Sequence, residues 1–236
     1  MLRVLTSTLR FPRPWRPLET RGCSSNAGAA DREIQVCALA GPDQGIAEIL
    51  MNRPSARNAL GNVFVSQLLE ALAQLREDRQ VRVLIFRSGV KGVFCAASSA
   101  VMGLIETTRG LLPGAGGTQR LPRCLGVALA KELIFTGRRL SGAQAQALGL
   151  VNHAVAQNEE GNAAYHRARA LAQEILPQAP IAVRLSKVAI DRGIEVDIAS
   201  GMAIEGICYA QNIPTRDRLE GMAAFREKRL PRFVGE

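Results

Sequence analysis

The chain has 236 residues, of which 47% are apolar, and it carries a formal net charge of +9. This length and apolar content allow one domain with a buried core and exclude a chain that is disordered throughout. The sequence has no apolar run near the roughly 18 residues of a membrane-spanning helix, so no membrane span is expected. It also lacks a dense block of Lys and Arg, so nucleic acid is not an expected partner.

The first 30 residues differ in composition from the rest of the chain. They contain five arginines, no lysine and a single acidic residue, Glu19. This composition predicts a mitochondrial transit peptide over residues 1–30 and a location in the mitochondrial matrix. A secretory signal and a disordered basic tail are the alternatives, although Pro12, Pro14 and Pro17 interrupt the apolar run of a secretory signal. Without this segment the chain has 25 basic and 20 acidic residues, and the net charge of +5 is compatible with an anionic ligand.

Two strands and a helix are predicted at the start of the remaining chain. Residues 34–39 and 46–51 contain β-branched residues and flank a Gly-Pro-Asp turn, which predicts a β-hairpin. Asn62 is predicted to cap a helix that ends near Asp78, because apolar residues recur there at helical spacing. Residues 81–86, VRVLIF, predict a buried strand. This order of elements is typical of a layered α/β domain.

The rear half of the chain is predicted to be almost entirely helical. Gly137, Gly149 and Pro177 are expected to end the first three helices, and Ser141 is expected to cap the second. Helices are predicted over residues 127–136, 141–149, 158–176, 181–192, 196–211 and 216–229.

Metal and nucleophilic chemistry has little support in the sequence. The cysteines show no CxxC spacing, so no zinc site or other metal site is predicted. The chain has only two histidines, and neither is expected to be catalytic. His166 is predicted to be a solvated surface residue, and His153, within a short apolar run, is predicted to have a structural role.

A glycine-rich loop, Gly-Ala-Gly-Gly-Thr at residues 114–118, leads into a predicted helix. It lacks the lysine of a P-loop, and Gln119 replaces the third glycine of a dinucleotide-binding motif. Two interpretations remain, namely a tight structural turn and a ligand cradle whose free helical N–H groups face an anion or a polarised oxygen. Glu106 precedes the loop and would face such a pocket, but an isolated carboxylate at this place is typically solvated or capping.

Several motifs taken together resemble the crotonase superfamily. The match runs in segments over residues 34–236, and its motifs are NRP at 52–54, RNAL at 57–60, VRVLIFRS at 81–88, GVFCA at 92–96, LLPGAGGTQRLPRCLG at 111–126 and EGMAAF at 220–225. The resemblance implies an α/β fold, a crotonase-like spiral of β-β-α turns followed by C-terminal helices that mediate trimerisation. It also divides the chain after the transit peptide into a spiral core, residues 31–153, and a C-terminal helical region, residues 154–236.

The resemblance implies acyl-CoA thioesters as substrates, so CoA is part of the substrate and no separate cofactor is expected. In this family two backbone N–H groups hold the thioester oxygen as it becomes negative, and two glutamates position water and move a proton to the double bond. Glu106 matches the second glutamate. The residues expected to contact CoA are Arg57, Ala59, Leu60 and Ala96, together with Lys228, which matches a basic residue that reaches the CoA phosphates.

The sequence departs from the family pattern immediately after Ala96. Family members continue there into a segment whose backbone supplies one oxyanion donor, whereas this chain passes through Ala97 and Ser98 directly into a strand that should come much later. The skipped part, about sixty residues by length comparison, normally carries a Gly-Gly-Gly helix start with the second oxyanion donor, and also the first glutamate. The sequence therefore predicts a spiral with one turn missing and impaired hydration chemistry.

Three functions follow from the resemblance. The first is an impaired enoyl-CoA hydratase-like protein of mitochondrial fatty-acid metabolism. The second is a non-catalytic subunit that assembles with relatives, since the full-length family forms trimers or hexamers. The third is RNA binding, because one crotonase relative binds AU-rich RNA through a lysine-rich helix. The corresponding helix here, residues 62–80, has a net charge of −1, which offers little attraction to phosphates.

Overall fold

The computed structural model describes residues 32–90 and 101–236, so the predicted transit peptide and Ala96 lie outside the described residues. A three-stranded sheet contains β1 (Ile34–Ala38), β2 (Ile46–Met51) and β3 (Val83–Ser88), in that order. β1 pairs antiparallel with β2, which confirms the predicted hairpin, and β2 pairs parallel with β3.

Helix α1 (Asn62–Glu77) covers one face of this sheet. Phe64 on α1 is fully buried in a cluster that includes Ala47 and Ile49 of β2. The cap of α1 is Gly61 and not the predicted Asn62, because Gly61 keeps an extended backbone while its carbonyl already accepts the first helical hydrogen bond, from Val65 N–H at 2.9 Å.

Helix α5 (Ala163–Ile175) covers the opposite face of the sheet. Ile46 of β2 and Ile85 of β3 are buried in one cluster with Ala172 of α5. Successive side chains of a strand point to opposite faces, so β2 contributes Ile46 to the α5 side and Ala47 to the α1 side. The sheet is thus the middle of three layers, which confirms the α/β prediction.

A buried polar cluster joins α5 to the sheet. Glu48 is buried in the middle of β2, and its Oε2 lies 3.3 Å from Arg87 Nε of β3. The Arg87 guanidinium lies 5.2 Å from the ring centroid of Tyr165 on α5. Burial and the neighbouring Glu48 carboxylate raise the pKa of Tyr165 to about 12, so its hydroxyl stays protonated at neutral pH. These contacts fix the position of α5 on the sheet.

A second polar contact, made by Asp43, holds α5 in place. It makes the free energy of unfolding depend on pH. Asp43 is buried, and its carboxylate lies 2.6 Å from Arg169 Nη2 and accepts a 2.8 Å hydrogen bond from Gln173 Nε2. The hydrogen bond from Arg169 keeps the pKa of Asp43 below its usual value of 3.8. We expect Asp43→Asn to lower the free energy of unfolding at pH 7 by about 1–2 kcal/mol, a modest value because Arg169 is partly solvated.

The sign of this pH effect follows from the lowered pKa. The contribution of Asp43 is fully present above the unfolded pKa near 3.8 and is lost as the pH falls through the lower folded pKa. Urea unfolding of the wild type and of Asp43→Asn should therefore differ at pH 7 and converge toward pH 2. Asp191→Asn removes an exposed ion pair with Lys187 and is the control, with an expected change below about 0.5 kcal/mol. A difference for Asp43→Asn that does not vary with pH contradicts this assignment.

A second packed unit follows residue 100. Its core contains Leu133, Leu140 and Ala145, and this cluster shares no buried residue with the clusters on the sheet. Its elements are β4 (Val101–Met102), α2 (Gly117–Leu125), α3 (Val127–Thr136), β5 (Leu140–Ser141) and α4 (Gly142–Ala147). β4 and β5 pair antiparallel, a pairing that the sequence did not predict.

Two local predictions in this unit are confirmed. α3 ends at Gly137, which takes a left-handed conformation with φ of +59°. Ser141 caps α4 through a capping box in which its Oγ accepts from Gln144 N–H and Gln144 Oε1 accepts from Ser141 N–H.

The remaining helices are α6 (Pro180–Gly193), α7 (Ile198–Asn212) and α8 (Arg216–Glu227). Their bounds agree with the prediction to within two residues. α5 begins at Ala163 and not at residue 158, because Gly161 has a φ of +77° and Asn158 Oδ1 accepts a hydrogen bond from Asn162 N–H. Within residues 32–90 and 101–236, no helix has the length and apolar character needed to cross a membrane.

Candidate active site

Glu106 begins a short 3-10 turn, Glu106–Arg109, which we call the Glu106 turn. Its side chain is half-buried, and its Oε2 is buried without a hydrogen-bond partner among the described residues. The side chain caps neither this turn nor α2. The capping interpretation is therefore wrong for this residue, and one of its two carboxylate oxygens is shielded from solvent. A buried carboxylate oxygen without a partner is costly, and such groups concentrate at functional sites.

The end of α3 holds the Glu106 turn in place. Thr107 Oγ1 donates a 2.7 Å hydrogen bond to the Ile134 carbonyl. Gly137 packs so closely on the turn that a Cβ at this position would lie 2.4 Å from Thr108 Cγ2, and its φ is also left-handed. Only glycine fits there, so this contact fixes the Glu106 turn against α3.

The glycine loop forms a tight turn, which supports the structural interpretation over the ligand cradle. Gly116 caps α2 with a φ of +82°. The N–H of Arg120 donates to the Gly116 carbonyl at 2.9 Å, and its Nη1 donates to the Ala115 carbonyl at 2.8 Å. A Cβ on Gly117 would lie 2.9 Å from Leu104, so the loop packs directly on the segment that precedes Glu106.

The predicted CoA-contacting residues Arg57, Ala59 and Leu60 lie in the loop after β2, which we call the 57–60 loop. Arg57 has a left-handed backbone with φ of +50°. Arg53 Nη1 donates to the Ala59 carbonyl at 2.7 Å and closes the loop. Leu60 is nevertheless 69% exposed, so the outer side of this held loop is open to a ligand.

The 57–60 loop also lies at the carboxyl end of the β2–β3 pair. Asn58 Nδ2 donates to Ser88 Oγ at 2.8 Å, which ties the loop to the last residue of β3. In open α/β sheets, ligands bind beside the carboxyl ends of the parallel strands. The loop is therefore placed where ligands of such sheets bind.

The structure does not bring all predicted site residues into contact. Lys228 ends α8 in a left-handed conformation and is exposed. Between described residues, no hydrogen bond or ion pair links Lys228 to the 57–60 loop or to the Glu106 turn. The remaining predicted contact, Ala96, lies outside the described residues.

Neither histidine approaches the Glu106 turn through a hydrogen bond. His166 is exposed, which confirms its predicted surface position, and exposed His153 Nε2 lies 3.0 Å from Arg167 Nη2. Across the described ranges, no group of three or more His, Cys, Asp or Glu residues is arranged to hold a metal ion.

Sequence reasoning missed the residues that position Glu106. Thr107 and Ile134 are 27 residues apart, and no local pattern indicates their hydrogen bond. Gly137 was predicted only as the end of a helix. Its second role, as the surface against which Thr108 packs, depends on tertiary contact alone.

Comparisons with known proteins identify the family of the chain. The profile of the Enoyl-CoA hydratase/isomerase family matches residues 41–98 and 95–236. The chain is 78% identical over 296 positions to the bovine enoyl-CoA hydratase domain-containing protein 2, mitochondrial, with full coverage of both chains. It is 40% identical over 280 positions to the human methylglutaconyl-CoA hydratase, mitochondrial, covering 93% of this chain and 82% of that protein.

Solved structures show the same similarity. The crystal structure of enoyl-CoA hydratase from Bacillus anthracis matches with a TM-score of 0.80 and 33% identity, covering 87% of this chain and all of that one.

The alignments also locate the interruption that the sequence indicated. The alignment with the bovine relative has 296 positions and this chain has 236 residues, so at least 60 positions of the alignment have no residue of this chain. The two matches to the family profile meet at residues 95–98, between β3 and β4. Since these matches together span residues 41–236 and the fold agrees with a solved hydratase, the chain belongs to the enoyl-CoA hydratase/isomerase family and has its crotonase fold.

Proposed function

We propose that this chain is an enoyl-CoA hydratase-like protein that binds acyl-CoA thioesters and whose hydration chemistry is impaired. The observation that carries the proposal is the buried Oε2 of Glu106, which has no hydrogen-bond partner in the described part of the chain and lies on a turn fixed by Thr107 and Gly137. A carboxylate held in this way is suited to exchange a proton with a bound substrate. The 57–60 loop supplies an exposed, firmly held surface for CoA.

The proposed reaction adds water across the double bond next to the thioester carbonyl. One O–H bond of water and the π bond break, the water oxygen bonds to the carbon farther from the carbonyl, and negative charge passes transiently to the thioester oxygen. The proton that water loses is balanced by the proton delivered to the carbon next to the carbonyl. We assign Glu106 to one of these two proton transfers. Removing one oxyanion donor lowers such rates by about 10² to 10³, and removing one proton-transfer group lowers them by about 10² to 10⁴. A chain without the interrupted segment lacks an oxyanion donor and one of the two glutamates, which supports impairment.

We further propose a mitochondrial location, in the matrix, and a role in fatty-acid metabolism. The support is the Arg-rich composition of residues 1–30 and the names of the bovine and human relatives, which include the word mitochondrial. We also propose that residues 31–153 form the spiral core and residues 154–236 the helical region.

A second candidate function is that of a non-catalytic subunit in an oligomer with family members. It is favoured by the exposed apolar side chains of α6, α7 and α8, which are unusual for a monomer. The larger of these side chains are Ile190, Ile198, Met202, Ile207, Tyr209, Leu219, Met222 and Phe225. A homotrimer or hexamer buries the same surface, so we propose an oligomer in either case.

The proposed function is tested by separating binding from turnover. Butyryl-CoA has no double bond to hydrate, and we expect saturable binding of it by calorimetry. We expect Arg57→Ala and Lys228→Ala each to weaken binding by roughly threefold to tenfold, because each removes one solvated charge near the CoA phosphates. Arg76→Ala on α1 is the matched control and should leave the affinity unchanged. Absence of butyryl-CoA binding, or equal effects of all three substitutions, contradicts the proposal.

A further inference from the structure

The two strands that flank the interruption each have an open edge within the described part of the chain. Among the strands of residues 32–90 and 101–236, β3 pairs with β2 alone and β4 pairs with β5 alone. The second edge of each strand thus presents backbone N–H and C=O groups that no described strand satisfies. Such edges are ready templates for an additional strand.

Exposed apolar side chains lie on elements close to the Glu106 turn, on the β4 side of the interruption. Leu112, directly after the turn, is 79% exposed, and Phe135 on α3, which packs on the turn, is 73% exposed. Val101 of β4 and Leu111 are also exposed. Large apolar side chains grouped in this way mark surfaces that another polypeptide segment covers.

The alignments indicate which segment this is. At least 60 aligned positions have no residue in this chain, and the two matches to the family profile meet between β3 and β4, where the open edges lie. A second copy of this chain lacks the same segment and cannot supply it.

We propose that the open edges of β3 and β4, with Val101, Leu111, Leu112 and Phe135, form a docking site for the missing family segment when a second polypeptide supplies it. This inference rests on the proposed function, because the incoming segment brings an oxyanion donor and a glutamate to Glu106. Docking therefore has two readouts, the binding itself and a gain of hydration. The gain follows from restoring groups that stabilise charge and transfer protons.

The test titrates the full chain with a peptide that copies the segment of the bovine relative opposite the interruption, and a scrambled peptide is the control. We expect one peptide per chain and a dissociation constant on the order of 1–100 µM, since ordering a flexible segment reduces the affinity. Crotonyl-CoA hydration should rise at least about 100-fold at saturation.

Matched substitutions locate the docking site. Leu112→Asp and Val101→Asp should weaken peptide binding at least about tenfold, because each places a charge on the docking surface. Leu69→Asp changes a residue of α1 whose exposure, 60%, matches the 61% of Val101, and it should not alter binding. Circular dichroism of each variant shows whether it folds, and equal effects of the three substitutions overturn the proposed location.

The remaining outcomes separate this inference from the proposed function. If the peptide fails to bind while a chain with the segment inserted covalently hydrates crotonyl-CoA, docking in trans is wrong and the proposed function stands. If the covalently restored chain is also inactive, the proposed function fails. If Leu112→Asp abolishes self-association of the chain and the peptide does not bind, the occupant is a second copy and the inference is overturned.

Discussion

Inserting the absent segment of the bovine relative between Ala96 and Ala97 is expected to raise the rate of crotonyl-CoA hydration at least about 10³-fold. The reason is that the segment supplies groups of two kinds. Restoring an oxyanion donor is worth about 10² to 10³ in rate, and restoring a proton-transfer glutamate about 10² to 10⁴. The two factors are not strictly multiplicative, so we expect a combined rate gain below their product.

The control for this experiment is Glu106→Gln in the restored chain. Glutamine keeps the size of the side chain but cannot exchange a proton, so hydration should fall by about 10² to 10⁴ while butyryl-CoA still binds. Crotonyl-CoA hydration should be followed for the original chain, the restored chain and the glutamine variant under one set of conditions. If the original chain hydrates crotonyl-CoA as fast as the restored chain, its chemistry is not impaired. If Glu106→Gln leaves the rate of the restored chain unchanged, the proposed role of Glu106 is wrong.

Replacing Phe64 by alanine is expected to lower the free energy of unfolding by about 3–5 kcal/mol. Phe64 has 0% exposure and fills the cluster between α1 and the sheet together with Ala47, Ile49 and Leu75. Its removal leaves a cavity that these neighbours cannot fill without moving. Domains are stable by only about 5–15 kcal/mol, so this loss is a large share of the total.

Urea unfolding followed by circular dichroism measures the effect of Phe64→Ala. Val63 precedes Phe64 on α1 and is 60% exposed, so Val63→Ala is the matched control and should change the free energy of unfolding by less than about 1 kcal/mol. Similar losses for the two variants show that α1 does not pack on the sheet through Phe64.

Local signals in the sequence predicted much of the fold correctly. The β-branched residues around the Gly-Pro-Asp turn indicated the β1–β2 hairpin, Gly137 marked the end of α3, and Ser141 marked the cap of α4. The predicted end of α1 near Asp78 is confirmed, but the strand predicted from Val81 begins only at Val83. The residues between belong to a turn, in which Asp78 Oδ1 accepts a hydrogen bond from Gln80 N–H at 2.8 Å.

The candidate site was predicted only in part, for a similar reason. Motif resemblance predicted Glu106 and the 57–60 loop as site residues, and the break in that resemblance after Ala96 agrees with the alignments. The sequence did not indicate that Glu106 Oε2 is buried, because burial depends on α3 packing against the Glu106 turn.

The sequence by itself therefore determined the family, the type of most elements and the place of the interruption, because these depend on residues that are close along the chain. Only the tertiary structure decided which helix covers which face of the sheet. Glu48 is a charged residue within the otherwise apolar strand β2, and the sequence does not indicate its partners. These are Arg87 of β3 and Tyr165 of α5. Contacts between residues far apart along the chain leave no periodic signal, since they arise only when the packed layers bring those residues together.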